Sequence, residues 1–201
     1  MMKDLNNAGF HFILASQSPR RHFLLNEIGL RFEVIVKPTD ESYPSGLVCE
    51  EIPLHVSRKK SEAFDFSELP GNALVITADT IVWLDGECIG KPTDEDDARQ
   101  MLGRLSGKKH TVATGVCFKT KDRFLSFFVN TDVFFRRLDP AEIDYYVEKY
   151  KPLDKAGAYG IQEWIGYIGV ERIEGSYFNV MGLPVQRLYC ELKQFISPVS
   201  P

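Results

Sequence analysis

The stretch Phe10–Arg21, FHFILASQSPRR, sets the architecture. FHFILA is a short apolar run bounded by polar residues, the pattern of a buried strand. Ser18 stands where an N-cap belongs, and Pro19 takes the first helical position, where its missing N–H costs nothing. Arg21, Leu24, Leu25 and Ile28 then recur at helical spacing, and Gly29 supplies the stop. A strand and a helix are thus joined by a polar turn of a few residues. That turn also carries chemistry. Arg20 and Arg21 lie in the first helical turn, where the dipole disfavours cations while the free N–H groups suit phosphate. Ser16, Ser18, Arg20 and Arg21 read either as a phosphate cradle or as a capped surface helix with solvated arginines. Spacing alone leaves the two readings even.

Outward from this unit, strands and helices alternate. Phe32–Val36 predicts a second strand, and Glu50 to Phe66 a helix with Pro53 in its first turn. Ala73–Ile76 and Ile81–Leu84 are apolar runs separated by the polar Thr77-Ala78-Asp79-Thr80, and Asp85-Gly86 supplies a hairpin turn. A helix follows from Thr93 to near Ser106-Gly107, with acidic residues in its first turn where the dipole favours them. Thr111–Phe118 and Phe124–Phe135 read as longer strands, the aromatics of the second forming sheet core. Asp139–Tyr150 reads as a helix with Pro140 at its first position, and Tyr167–Ile173 as a strand. Gly182 to Phe195 leads into a last helix. This predicts an α/β fold, a mixed twisted sheet with flanking helices, in one domain spanning 1–201. Residues 1–9 are expected to form a flexible N-terminal extension.

Composition narrows the function. Lys and Arg number 24 against 28 Asp and Glu, a net charge of −4, which argues against broad binding to a nucleic-acid backbone. No apolar run approaches the length of a membrane helix, and the polar start lacks a secretory hydrophobic stretch. The four cysteines form no CxxC pair and the four histidines are scattered, so neither a disulfide framework nor a His-based metal cluster is expected. A cytoplasmic protein working through oxygen ligands and basic side chains is the expectation.

Several residues are candidates for that work. Asp79 follows an apolar strand, where a carboxylate is expensive to bury unless it is paired, hydrogen-bonded or metal-bound; taken alone, it reads as a turn-forming Asp at a strand end. Glu41, in the loop after the second strand, is either a second carboxylate on the same cation or an exposed loop acid. Lys91, fixed between Gly90 and Pro92, is a sharper phosphate-contact candidate than Lys60, which reads as one of a solvated run with Arg58 and Lys59. The most unusual segment is Asp154–Gln162, DKAGAYGIQ. Its small residues let the backbone approach a ligand, and Gln162 offers a donor and an acceptor to a base edge. The plain alternative is a buried structural loop with Asp154 and Lys155 paired.

Taken in order, Leu14–Arg21, Ala78-Asp79-Thr80-Ile81-Val82, Gly90-Lys91-Pro92, Leu105-Ser106-Gly107, Thr114-Gly115-Val116, Asp154–Gln162 and Gly182-Leu183-Pro184 resemble the Maf family of nucleotide pyrophosphatases, from about Ile13 to Leu192. The resemblance implies two lobes around a central nucleotide-binding cleft. It also implies metal-dependent hydrolysis of a nucleoside triphosphate to the monophosphate and pyrophosphate. By its terms Asp79 is the proton acceptor, and Ser16, Arg20, Arg21, Lys60 and Lys91 bind phosphate. Arg20, Thr80 and Gln162 bear on substrate choice, while Glu41 and Asp79 are the candidate ligands of Mg²⁺ or Mn²⁺. The Ser-Pro-Arg-Arg turn looks like the branch acting on dTTP and UTP. Glu163-Trp164 departs from the glycine-richer stretch of many members, and Trp164 competes with Gln162 as a base contact by stacking. A pyrophosphatase for modified nucleotides and a nucleotide-binding regulator of cell division are the alternatives. The expected partner is a nucleotide, with no nucleic acid or membrane, and a homodimer is a further expectation.

Overall fold

The computed structural model describes residues 5–197. A seven-stranded mixed sheet is built from β1 (His11–Leu14), β2 (Glu33–Val34), β3 (Ala73–Leu84), β4 (Glu87–Ile89), β5 (Lys109–Lys119), β6 (Phe124–Phe135) and β7 (Val170–Glu174). The main path runs β2-β1-β3-β5-β6-β7, with β4 pairing β3 off that path. β1 is parallel to β2 and β3, whereas β3, β5, β6 and β7 form an antiparallel series. The helices are α1 (Pro19–Glu27), α2 (Glu51–Glu62), α3 (Glu95–Leu105), α4 (Pro140–Tyr150), α5 (Trp164–Gly169), α6 (Tyr177–Val180) and α7 (Val185–Ile196), with a short 3-10 turn at Ala156–Ala158.

β3 is the spine. The expected polar break at Thr77–Thr80 is instead part of one continuous 12-residue strand. Its even positions Leu74, Ile76, Ala78, Val82 and Leu84 enter the main core with Leu102 and Leu105 of α3, Tyr146 of α4 and Leu188 of α7. The odd positions face the other way: Ala73 and Val75 meet Phe64, and Ile81 meets Ile52 of α2. A strand covered on both faces needs apolar residues at both parities, which is why the sequence reads as runs rather than alternation. Thr77 is buried on the α2 side because its hydroxyl donates to the Ser57 carbonyl at 2.6 Å.

The α2 backbone lies unusually close to the sheet. A Cβ on Gly115, which pairs with Asp79 across the β3/β5 ladder, would stand 2.4 Å from the Pro53 carbonyl. Only glycine lets this helix seat there, and the seating carries Lys60 toward Asp79.

Several boundaries shift from the sequence reading. The second strand keeps only Glu33–Val34, and α2 stops at Glu62 rather than Phe66. Asp94 caps α3 by accepting from the Asp97 N–H, so the helix begins at Glu95 rather than Thr93. Ser18 occupies the N-cap position of α1, but its side chain makes no capping bond. The expected strand from Tyr167 starts at Val170, because Trp164–Gly169 forms α5. Along β6, Phe127 and Phe135 are buried as expected of sheet core, while Phe124 and Phe128 face solvent. Of the expected N-terminal extension, residues 1–4 lie outside the described residues. Leu5 packs into the core and the Asn6 side chain bonds Gly29 and Arg31, which ties that part down.

Candidate active site

The site begins where the sheet is incomplete. β1 pairs with β3 as far as Ile76, and β4 takes up the same side from Val82. Among the described residues, 77–81 therefore have no strand partner on that side. A cleft of about 420 Å³ opens there. Because it cuts across an open strand edge, Asp79 and Thr80 both line it although they point to opposite faces of the sheet.

Nine of the residues singled out from sequence line this cleft: Ser16, Arg20 and Arg21 after β1, Glu41 after β2, Lys60 on α2, Asp79 and Thr80 on β3, Lys91 after β4, and Gln162 before α5. Their detailed roles in the structure differ. Lys60 is not solvated like Arg58 beside it. Its ammonium lies 2.8 Å from Asp79 Oδ1 and 2.8 Å from Glu41 Oε1, with the Lys60 and Asp79 side chains each only 15% exposed. Burial pushes the Glu41 carboxyl upward, but the Lys60 bond and charge outweigh it and hold the group below its ordinary value. Asp79 is accordingly neither a turn former nor at a strand end. It is a paired carboxylate in mid-strand.

The two arginines of the first turn separate. The Arg20 guanidinium pairs with Asp154 at 2.9 Å and stays partly exposed toward the cleft. Arg21 is turned inward. Its Nε donates to the Gly182 carbonyl at 2.8 Å, Nη1 to the Ala78 carbonyl at 2.8 Å, and Nη2 to the Thr80 hydroxyl at 3.1 Å. A longer bond of 3.4 Å reaches Ser16 Oγ. Burial lowers the Arg21 pKa from its ordinary value, a pull that the nearby Asp79 charge opposes. A guanidinium with most of its donors committed to carbonyls and hydroxyls braces the open edge of β3 while lining the cleft.

Gln162, also in the lining, carries a buried Oε1 with no hydrogen-bond partner among the described residues. An orphaned buried acceptor costs free energy unless a ligand donor meets it. Trp164 is not part of the lining: its ring packs edge-on against Tyr145, 4.8 Å between centroids, which removes it as a stacking base contact. Asp154 and Lys155 are paired at 2.7 Å, as the structural reading of that loop expected, yet both also line the cleft. Asn179 is fully buried and donates to the Val112 and Val129 carbonyls, which ties α6 to β5 and β6.

Sequence reasoning missed the partners of the Asp154–Gln162 loop. Glu163 forms an ion pair with Lys155 at 3.1 Å and accepts from the Tyr146 hydroxyl, and Tyr146 in turn accepts from the Gly160 N–H. The available signal was the Asp-Lys pair amid small residues, a cluster of charge that burial would force into ion pairs.

The donor set also bears on a cation. No group of three or more His, Cys, Asp and Glu side chains converges among the described residues. Glu41 and Asp79 nonetheless already bracket a cation, the Lys60 ammonium. Two carboxylates suit Mg²⁺ or Mn²⁺, which complete their shell with water and substrate phosphates rather than with a full protein cage.

Comparison with known proteins bears on the whole chain. Residues 11–195 match the family described as Maf-like protein. A dTTP/UTP pyrophosphatase of Phocaeicola vulgatus is 58% identical over 186 residues, covering 92% of this chain and 96% of that relative. Another from Bacteroides thetaiotaomicron is 54% identical over the same share of each chain. One from Porphyromonas gingivalis is 50% identical over 188 residues, 92% of this chain and 94% of its own.

Proposed function

The chain belongs to the Maf-like protein family, and from that premise we propose that it is a pyrophosphatase hydrolysing dTTP and UTP to the nucleoside monophosphate and pyrophosphate. The observation that carries this reading is the polarity of the cleft. Lys60, Lys91 and Arg20 share it with two carboxylates, and the unpartnered Gln162 carbonyl lies in its wall. A triphosphate fits the cationic side and a base N–H donor meets Gln162, as the N3–H of thymine or uracil does.

On this reading Asp79 receives the proton of the attacking water. Its Oδ1 accepts from Lys60, while Oδ2 has no hydrogen-bond partner among the described residues and is available. Water oxygen bonds to the α-phosphorus, the bond from that phosphorus to the α,β-bridging oxygen breaks, and pyrophosphate leaves with the electron pair. Negative charge accumulates on the α-phosphoryl oxygens and on the leaving group, and Arg20, Lys60 and Lys91 offset it from fixed positions. Glu41 and Asp79 would hold a divalent cation, Mg²⁺ or Mn²⁺, which when bound supplies further stabilisation of phosphoryl charge. Ser16 and Thr80 orient the chain through Arg21, and Thr80 adds a hydroxyl to the cleft. Nucleoside triphosphates are made and used in the cytoplasm, where this reading places the enzyme. Among the described residues no helix is long and apolar enough to cross a membrane.

The test is a panel of dTTP, UTP, CTP and GTP with the purified protein, with and without Mg²⁺ or Mn²⁺. Monophosphate and pyrophosphate from dTTP and UTP ahead of the others are expected. Formation of the nucleoside diphosphate and orthophosphate would overturn the proposal.

A further inference from the structure

From the cleft wall inward runs a chain of alternating charge, of which the reaction above uses only Arg20. Arg20 Nη1 lies 2.9 Å from Asp154 Oδ2, Lys155 Nζ lies 2.7 Å from Asp154 Oδ1, and the same ammonium lies 3.1 Å from Glu163 Oε1. The other Glu163 oxygen accepts from the Tyr146 hydroxyl, which itself accepts from the Gly160 N–H at 3.0 Å. The Lys155 side chain is 9% exposed and that of Glu163 19%. A buried ammonium needs its carboxylates, and here two cations and two anions balance. Packing is as tight as the bonding: a Cβ on Gly160 would stand 2.8 Å from Glu163 Cδ and 3.0 Å from Gln162 Nε2.

We propose that Glu163 is the positioning residue of base selection, holding the Gly160–Gln162 loop through Tyr146 and coupling it to Arg20 through Lys155 and Asp154. The inference rests on the proposed roles of Arg20 and Gln162 and adds that they act as one unit. Glu163 itself does not line the cleft, so its influence passes through the loop backbone and the ion-pair chain. Burial and the Glu163 carboxylate both push the Tyr146 phenol above its ordinary value, so the hydroxyl keeps its proton and remains a donor to Glu163. Hydrogen bonds from Lys155 and Arg20 overcome burial to hold the Asp154 carboxyl below its ordinary value, which keeps the middle of the chain ionised.

The variant is Glu163→Gln, which preserves shape and removes the charge that Lys155 needs. The ratio of kcat/KM for dTTP to that for CTP should fall by about tenfold, chiefly through a raised KM for dTTP. In an Arg20→Ala background the same change should lower that ratio by less than about twofold, because coupled residues are not additive. Tyr146→Phe, which deletes one hydroxyl, should move the ratio the same way and serves if Glu163→Gln fails to fold. Dissociation constants for the α,β-methylene analogues of dTTP and CTP give the same ratio independently of turnover. A uniform loss on all nucleotides at an unchanged ratio, or full multiplicativity with Arg20→Ala, would overturn the proposal. A wild type that prefers another base overturns the proposed dTTP/UTP activity instead; the ratio is then taken for that base, and its collapse or persistence in Glu163→Gln still decides the coupling.

Discussion

Replacing Arg21 by Met tests whether this residue braces the fold or serves the ligand. The substitution keeps much of the aliphatic stem and removes the guanidinium. Thr80 retains Thr114 at 3.0 Å and Ser16 retains the Ser18 N–H at 3.2 Å, so the hydroxyls keep partners. The Ala78 carbonyl loses the donor it has from Arg21, and the Gly182 carbonyl is left with only the long 3.4 Å bond from the Thr80 hydroxyl. Leaving a buried acceptor unpaired costs about 1–3 kcal/mol, so one lost and one weakened acceptor come to roughly 2–4 kcal/mol. For a domain of this size each kcal/mol lowers Tm by about 2–4 °C, which predicts a drop of roughly 5–15 °C in apo protein followed by circular dichroism. Arg20→Met is the control. Its ion pair is with Asp154, whose side chain is 57% exposed, and such pairs contribute at most about 1 kcal/mol. The expected outcome is therefore a split: Arg21→Met unfolds early, whereas Arg20→Met keeps its Tm and loses nucleotide affinity. An Arg21→Met protein that melts with wild type and only binds nucleotide more weakly would refute the brace.

Much of this was legible because local chemistry and tertiary need agreed. FHFILA, Ser18-Pro19 and the Leu24/Leu25 spacing specify strand, turn and helix from local rules, and β1 and α1 follow them closely. The Asp85-Gly86 turn adopts positive φ at both residues, as a tight hairpin requires. What could not be read was direction. Arg20 and Arg21 are adjacent and chemically identical, and only the position of the Ala78 and Gly182 carbonyls decides which one turns inward. Lys60 looked like its neighbours Arg58 and Lys59, because its burial depends on Gly115 admitting the α2 backbone from a strand more than fifty residues further on. The helix at Trp164–Gly169 was hidden for a related reason. Its β-branched and aromatic residues favour a strand by propensity, but the turn opens at Glu163, whose carboxylate is engaged by Lys155 and Tyr146. Long-range ion pairs leave no periodic trace in a sequence.

Three further outcomes check the site and the core. Asp79→Asn should reduce pyrophosphate release by about 10²–10⁴-fold, since a near-isosteric amide cannot act as general base, with an unchanged circular dichroism spectrum; near wild-type turnover would remove Asp79 from the reaction. Gln162→Ala should lower kcat/KM for dTTP and UTP far more than for CTP and GTP, flattening the ranking, whereas equal losses on all four would take Gln162 out of base selection. The last concerns His110, which is 1% exposed, with Nε2 2.7 Å from the Tyr159 hydroxyl and Nδ1 without a partner among the described residues. Burial lowers its pKa from 6.5 to about 4, partly opposed by the Asp132 charge. Below pH 6.5 the unfolded chain therefore takes up a proton that the folded one does not, and stability falls as pH drops from 6.5 toward 4, then levels. The difference amounts to about 3 kcal/mol across that window. His110→Phe fills the same aromatic pocket between Phe135 and Tyr159 without a titrating group. It leaves the Tyr159 hydroxyl without its partner, so the variant starts from lower stability at neutral pH. Its urea unfolding free energy should nevertheless change less between pH 7 and pH 4 than that of wild type, by about that same 3 kcal/mol. Parallel pH profiles in the two proteins would mean that His110 takes up its proton as readily in the native core as in the unfolded chain, contrary to its burial.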